Sequence, residues 1–199
     1  HLGIEQVVAV KVLNSTKAVQ ALKNEIHILT QIESLHCVRL LGWADLKKGP
    51  ALVLEYLDGV SLQDLCAYES ISHAIVDEII AQLQMGLRDL HSHGIGHGDL
   101  SAKNIFITNR GVVKILDFGF SGGGGSEDLF GTPQFIALEA WSGEKLSMHS
   151  DLFSVGLLRE DLVSGTVLVH GNRELWRRRA NEVCGRNSLL CAEPSRREL

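Results

Sequence analysis

The feature that most constrains the fold of this chain is a polar loop followed by a short apolar hairpin. The loop spans residues 97–104 with the sequence His-Gly-Asp-Leu-Ser-Ala-Lys-Asn, and residues 117–119 are Asp-Phe-Gly. Between these segments, apolar residues at 105–107 and at 112, 113, 115 and 116 predict two strands, and Asn-Arg-Gly predicts the turn that joins them. The pattern therefore predicts two polar segments that flank one β-hairpin.

Three side chains in these segments point to one kind of chemistry. Asp99 can accept a hydroxyl proton, and Asn104 and Asp117 can hold a divalent metal ion. Phosphoryl transfer uses such groups, because its catalysis is mostly positioning and electrostatic neutralisation of phosphate charge. The alternative is a plain hairpin in which the Asp-Phe-Gly sequence occurs by chance.

Composition limits the class of protein. The 199 residues suffice for one or two domains, and 45% hydrophobic with 22% charged residues is an ordinary globular composition. The net charge of −5 gives no electrostatic case for nucleic acid or an anionic membrane as a partner. The sequence contains no apolar run of the roughly 18 residues that a membrane span requires.

The cysteines predict the compartment. The four residues Cys37, Cys66, Cys184 and Cys191 show no metal-ligand spacing and no Cys-x-x-Cys pair. We interpret them as reduced thiols of a cytoplasmic protein, and no signal-peptide pattern opens the chain.

The first part of the chain predicts a small β-rich unit. A run at 7–13 that is apolar except for Lys11 predicts a buried strand, and helical spacing predicts a helix over 18–32. Two further strands are predicted at 38–43 and 51–56. Asp58-Gly59 interrupts the pattern and marks the predicted link to the second part.

The second part is predicted to be mostly helical. Apolar residues recur at helical spacing up to about His91, and residues 151–163 predict a buried helix. Residues 121–126 are Ser-Gly-Gly-Gly-Gly-Ser, which favours a flexible segment, either an engineered linker or a natural loop.

The loop and the Asp-Phe-Gly sequence resemble the catalytic loop and metal-binding motif of eukaryotic-type protein kinases. Further segments resemble this family in the same order along the chain. They are residues 8–11 (strand lysine motif), 131–139 (substrate-docking segment), 151–156 (central helix start) and 189–197 (late arginine segment). The resemblance implies an α+β, two-lobed protein-kinase-like domain, with a reduced β-rich N-lobe at 1–57 and a mostly helical C-lobe at 58–199.

The resemblance implies a nucleotide site for ATP. Lys11 would pair with phosphates and with Glu25, Ala9 would face the adenine, and the backbone of Glu55 and Leu57 would bind its edge, with Leu54 behind it. The residues expected to bind the cofactor are Ala9, Lys11, Glu25, Glu55, Leu57, Phe106 and Asp117.

The resemblance also implies roles in transfer to a protein substrate. Asp99 would orient the substrate hydroxyl, Lys11 and Lys103 would neutralise phosphate charge, and Asn104 and Asp117 would carry Mg²⁺. Asp151 would hold the backbone of the catalytic loop, and Arg197 would pair with Glu139. Thr132 fits the Ser/Thr subclass.

The chain departs from the family pattern in several places. Gly98 replaces the usual arginine, so activation by loop phosphorylation is not expected. Ser101 stands where Ser/Thr kinases place a lysine, whereas tyrosine kinases place an arginine at the position of Lys103. The ten residues before Lys11 contain only Gly3, so we expect a shortened member without the glycine-rich loop and with weaker nucleotide binding.

Three functions remain open at this stage. The leading hypothesis is ATP- and Mg²⁺-dependent phosphorylation of protein Ser or Thr. The second is a pseudokinase or nucleotide-binding scaffold, which Gly98, Leu138 and the missing glycine-rich loop favour. The third is a small-molecule kinase of the aminoglycoside phosphotransferase type, which the His-Gly-Asp sequence at 97–99 favours.

Overall fold

The computed structural model describes residues 6–12, 16–47, 49–68, 71–119, 121 and 148–165. In chain order, the helices and strands are β1 (Val8–Val12), α1 (Thr16–Leu29), β2 (Leu40–Leu46), β3 (Gly49–Glu55), β4 (Gly59–Ser61), α2 (Leu62–Tyr68), α3 (His73–Ser92), a 3-10 turn (Ala102–Asn104), β5 (Ile105–Thr108), β6 (Val113–Ile115) and α4 (Met148–Ser164). The predictions for residues 122–126, 131–139 and 189–197, and for the Glu139–Arg197 pair, lie outside the described residues.

The first sheet is antiparallel with the strand order β1-β3-β2. The prediction of a buried first strand is wrong, because Val8 and Val10 are 36% and 48% exposed. Within the described residues β1 pairs only with β3, so it is an edge strand, and side chains alternate between its two faces. Ala9 and Lys11 take the other face and are half-buried.

Helix α1 and the strands after it lie near their predicted positions with shifted ends. The helix ends at Leu29, where the prediction continued to residue 32, and β2 and β3 span Leu40–Leu46 and Gly49–Glu55. Helix α1 contacts β3 and so lies against the first sheet. The predicted small β-rich unit with one helix is therefore present.

The second sheet has the order β4-β5-β6 and contains the predicted hairpin. Strand β4 and helix α2 were not predicted. Strand β4 begins at Gly59 beside Ile107, and a Cβ atom at Gly59 would lie 2.1 Å from the Ile107 carbonyl oxygen. Only glycine permits this close pairing. The Asp58-Gly59 break therefore leads directly into a strand.

Helix α3 and helix α4 together contribute about half of the buried hydrophobic residues of the described core. The predicted apolar face of α3 is buried, with Val76, Ile79, Ile80, Leu83, Leu87 and Leu90 all under 7% exposed. Helix α3 contacts both α4 and β6. Gly86 lies against His36, where a Cβ atom would come within 2.9 Å of the His36 Cβ, so the glycine permits close approach to residues 36–38.

Residues 36–38 connect the two sheets. The Val38 amide donates to the Ile115 carbonyl at 3.0 Å, and the Ile115 amide donates to the His36 carbonyl at 2.8 Å. This short parallel bridge places the first sheet beside the end of β6, next to Asp117.

Among the described helices, none combines the length and apolar character needed to cross a membrane.

Candidate active site

A cavity of about 350 Å³ lies between the first sheet and the β5–β6 hairpin. Every residue predicted to bind the cofactor lines it, as does Asn104. The full lining is Ala9, Lys11, Glu25, Val38, Leu54, Glu55, Tyr56, Leu57, Asn104, Phe106, Leu116 and Asp117. The fold thus brings together residues from both halves of the chain. Asp99 and Lys103 are not among the lining residues.

Lys11 joins two carboxylates at one end of the cavity. Its Nζ lies 2.8 Å from Oε2 of Glu25 and 2.7 Å from Oδ1 of Asp117. Lys11 points toward α1 because it alternates with the outward-facing Val10 along β1. The Glu25 side chain is only 2% exposed, whereas that of Asp117 is 39% exposed. Asp117 therefore remains accessible to a ligand in the cavity.

The two carboxylates respond differently to their surroundings. Burial raises the pKa of Glu25, and the Lys11 ammonium and the Phe118 amide offset this only in part. Burial also acts to raise the pKa of Asp117, but the hydrogen bond and charge of Lys11 outweigh it, so this pKa is lowered. Burial acts to lower the pKa of Lys11, and the two carboxylates outweigh it, so the pKa of Lys11 is raised and its ammonium stays charged.

We expect Glu25→Gln and Asp117→Asn to change stability with opposite pH trends. The folded protein binds the Glu25 proton more tightly than the unfolded chain, so the wild type loses stability relative to Glu25→Gln as the pH rises above 4.5. It binds the Asp117 proton less tightly, so the wild type loses stability relative to Asp117→Asn as the pH falls from 3.8 through the lowered pKa. Urea unfolding across the acidic range measures both trends. Parallel trends in the two variants would contradict the opposite shifts.

The loop at 97–104 is held in place by its own side chains. The Asn104 Nδ2 donates to the carbonyl oxygen and to Oδ2 of Asp99 at 2.9 and 3.0 Å. The His97 Nδ1 accepts from the Asp99 amide at 3.2 Å, so its Nε2 carries the proton and donates to the Leu116 carbonyl at 3.0 Å. These contacts hold Asp99 in a fixed, buried position against Asn104.

Asp151, near the start of α4, anchors the same loop from below. It is 1% exposed, and its Oδ2 and Oδ1 accept from the amides of His97 and Gly98 at 2.8 and 2.9 Å. The Oδ2 also contacts His91 Nε2 at 2.9 Å. The role of His91 was not predicted, because a single histidine at the end of a helix gives no local signal of a partner 60 residues away.

The backbone at Asp117 adopts a left-handed conformation, with φ of 62°. This conformation is strained for a residue other than glycine and persists only where neighbouring contacts hold it. Phe118 supplies such contacts, because its ring is fully buried and lies 5.1 Å, edge to face, from the His97 ring. The Phe118 amide also donates to Glu25 Oε1 at 3.3 Å.

The link from β3 to β4 borders the other end of the cavity. The Glu55 carboxylate accepts hydrogen bonds from Lys114 Nζ at 2.6 Å and from the Arg39 amide at 2.9 Å. Among the described residues, the Leu57 amide and carbonyl have no hydrogen-bond partner. The Leu57 backbone is therefore available to a ligand. The Lys114–Glu55 contact was not predicted, since it joins strands 59 residues apart.

Two loop residues lie outside the cavity. Lys103 is exposed on the 3-10 turn next to Asn104. Ser101 is 1% exposed, and its hydroxyl has no hydrogen-bond partner within the described part of the chain. Conversely, Val38 and Tyr56 line the cavity although they were not predicted to do so. Leu116 borders the cavity because it directly precedes Asp117.

Comparison with known proteins defines the family. The family model described as "Protein kinase domain" matches residues 1–191. The chain therefore belongs to the protein kinase domain family, as the motifs predicted, and its small antiparallel sheet with helices below confirms the predicted α+β kinase-like fold.

The individual relatives are all described as kinases. The chain is 32% identical over 79% of its length to a probable serine/threonine-protein kinase of Dictyostelium discoideum, covering 34% of that protein. It is 33% identical over 73% of its length to human myosin light chain kinase family member 4, covering 40% of that protein. It is 30% identical over 73% of its length to mouse death-associated protein kinase 2, covering 42%. The chain thus spans less than half the length of these relatives.

Proposed function

We propose that this domain transfers the terminal phosphoryl group of ATP to Ser or Thr hydroxyls of a protein substrate. The observation that carries the proposal is the contact of Lys11 with both Glu25 and Asp117 at the end of a cavity that also holds Asn104. A fixed ammonium beside an accessible carboxylate and an amide oxygen suits a polyphosphate with its metal ion. The boundary between lobes is proposed at residues 57 and 58, between β3 and β4.

The residues of the cavity fit a magnesium ion. Magnesium prefers oxygen ligands and is commonly bound by one or two carboxylates together with substrate phosphates. Asp117 would supply a carboxylate oxygen. Asn104 would supply its amide oxygen, because its Nδ2 is already committed to Asp99. When bound, the ion would neutralise charge on the phosphate oxygens.

The apolar part of the cavity fits an adenine ring. Ala9 and Leu54, paired across β1 and β3, line the side formed by the first sheet, and Phe106 lines the side formed by the hairpin. The Leu57 backbone groups, which have no partner among the described residues, lie at the edge, where a planar base with donors and acceptors can be recognised. These contacts support Ala9, Glu55, Leu57 and Phe106 as nucleotide-binding residues.

Asp99 is proposed to orient the substrate hydroxyl and accept its proton. Its carboxylate is held by Asn104, one of the two proposed metal ligands, so the base and the metal site share a contact. Lys103, exposed on the adjacent turn, is proposed to approach the transferred phosphate only when substrate is bound.

The free thiols of Cys37 and Cys66 support the cytoplasm as the compartment.

A nucleotide-binding module without transfer is the second candidate. The observation that favours it is the position of Lys103, whose side chain is exposed and outside the cavity lining. In such a module Lys11, Asn104 and Asp117 would bind the nucleotide and its metal ion, and Lys103 would not reach the phosphoryl group to be transferred.

Incubation with γ-labelled ATP and Mg²⁺ separates the candidates. We expect label in acid-stable phosphoserine or phosphothreonine of a generic protein substrate or of the chain itself. Metal-dependent nucleotide binding without transfer would instead select the binding module. Label on an aminoglycoside but on no protein would select a small-molecule kinase.

A further inference from the structure

Ser121 lies at a junction of three segments that carry the proposed active site. It is fully buried, two residues after Gly119. Its hydroxyl donates to the His97 carbonyl at 2.9 Å, and its own carbonyl accepts from Asn24 Nδ2 at 2.8 Å. Its amide donates to the Phe118 carbonyl at 3.2 Å. Each polar group of Ser121 is therefore bonded, and each to a different segment.

Each partner of Ser121 is close in sequence to a residue of the site. Asn24 directly precedes Glu25 on α1, His97 precedes Asp99 by two residues, and Phe118 directly follows Asp117. Ser121 thus connects the helix whose Glu25 pairs with Lys11, the loop that contains the proposed base, and the turn that contains the proposed metal ligand.

The turn at Asp117 requires such support. Its left-handed φ of 62° is strained, and the turn is held by the Lys11 ion pair, the Phe118 contacts and the bonds of Ser121. The Lys11 contact alone does not set the direction of the chain after Gly119. The hydrogen bonds of Ser121 with Asn24 and His97 set it, because they attach Ser121, which follows the turn, to helix α1 and to the catalytic loop.

We propose that Ser121 is a positioning residue for the metal-binding carboxylate of Asp117. The inference rests on the proposed function, since it assigns to Asp117 the binding of Mg²⁺ with the nucleotide. The hydroxyl holds the turn against the catalytic loop, and the carbonyl holds it against α1. Together these two bonds keep the Asp117 carboxylate beside the Lys11 ammonium, in the cavity that Asn104 also lines.

Ser121→Ala and Asn24→Ala test the two attachments separately. Ser121→Ala removes the bond to His97 and keeps the backbone bonds to Asn24 and Phe118. We expect each variant to raise the Mg²⁺ concentration for half-maximal nucleotide binding about five- to tenfold, as the loss of one net hydrogen bond implies. We expect ADP affinity without metal to stay within about twofold, because the apolar cavity is untouched.

The double variant tests whether both bonds act on one turn. Its fold-increase in the Mg²⁺ concentration for half-maximal nucleotide binding should be smaller than the product of the two single fold-increases. The reason is that the effects of groups that hold the same segment are not additive. Ser154→Ala is the matched control, since it removes a buried hydroxyl that donates to the Ser150 carbonyl at 2.9 Å within α4. We expect no change in its Mg²⁺ dependence.

The outcomes separate this inference from the proposed function. If Mg²⁺ does not change nucleotide affinity in the wild type, the proposed function fails first. If Mg²⁺ acts in the wild type and its half-maximal concentration is unchanged in Ser121→Ala and Asn24→Ala, the positioning role is overturned and the proposed function stands. An equal shift in Ser154→Ala would also overturn it, as a general loosening. If Ser121→Ala does not fold, Asn24→Ala alone decides.

Discussion

Replacing Asp99 with asparagine is expected to lower kcat for phosphoryl transfer by about 10²- to 10⁴-fold, the range associated with a positioned general base. Asparagine has the same shape as aspartate, and its amide oxygen can still accept from Asn104 Nδ2, which lies 3.0 Å from the present carboxylate. The variant therefore keeps the loop contact and loses the negative charge that orients and deprotonates the substrate hydroxyl.

The kinetic signature of this variant is a fall in kcat with the KM for ATP within a few-fold of the wild type. Asp99 does not line the cavity proposed for the nucleotide, so ATP binding should not depend on its charge. Asp58→Asn is a suitable control, because Asp58 is an exposed carboxylate in the link between β3 and β4. A loss below tenfold in Asp99→Asn, with transfer otherwise present, would remove Asp99 from the role of base.

Replacing Asp151 with asparagine is expected to destabilise the fold by about 3–5 kcal/mol, the usual cost of breaking a buried charged contact. The carboxylate is 1% exposed and accepts from the His97 amide, the Gly98 amide and His91 Nε2. Asparagine would turn an NH₂ group toward one of these donors, so that one buried N–H loses its acceptor and faces another donor.

Thermal or urea unfolding measures this effect. For a protein of this size the expected fall in Tm is about 10 °C, since each kcal/mol corresponds to about 2–4 °C. Asp77→Asn is the matched control, because Asp77 forms an exposed ion pair with Arg159 at 2.9 Å. Exposed pairs contribute about 0–1 kcal/mol, so its Tm should change little. Similar Tm values for both variants would show that Asp151 does not anchor the loop.

The elements with strong local patterns were predictable from the sequence. The hairpin at β5 and β6 follows from two short apolar runs around a turn, and α3 follows from apolar residues at helical spacing. The loop at 97–104 and the Asp-Phe-Gly sequence identified the family. In contrast, β4 and α2 are three and seven residues long, too short for a clear period.

The burial of β1 was predicted incorrectly for a related reason. A run of valines predicts a strand, but whether that strand is central or at an edge depends on which strands pair with it. Only the sheet shows that Val10 faces outward while Lys11 faces Glu25.

The sequence by itself determined the family, the α+β fold and the residue types that a phosphoryl-transfer site requires, because these depend on motifs and on local periodicity. Only the tertiary structure decided which of those residues meet. The contacts of Lys11 with Asp117, of Asp151 with His97 and of Ser121 with Asn24 join residues that are 106, 54 and 97 positions apart. Their geometry is set by the packing of sheets and helices, which no local pattern encodes.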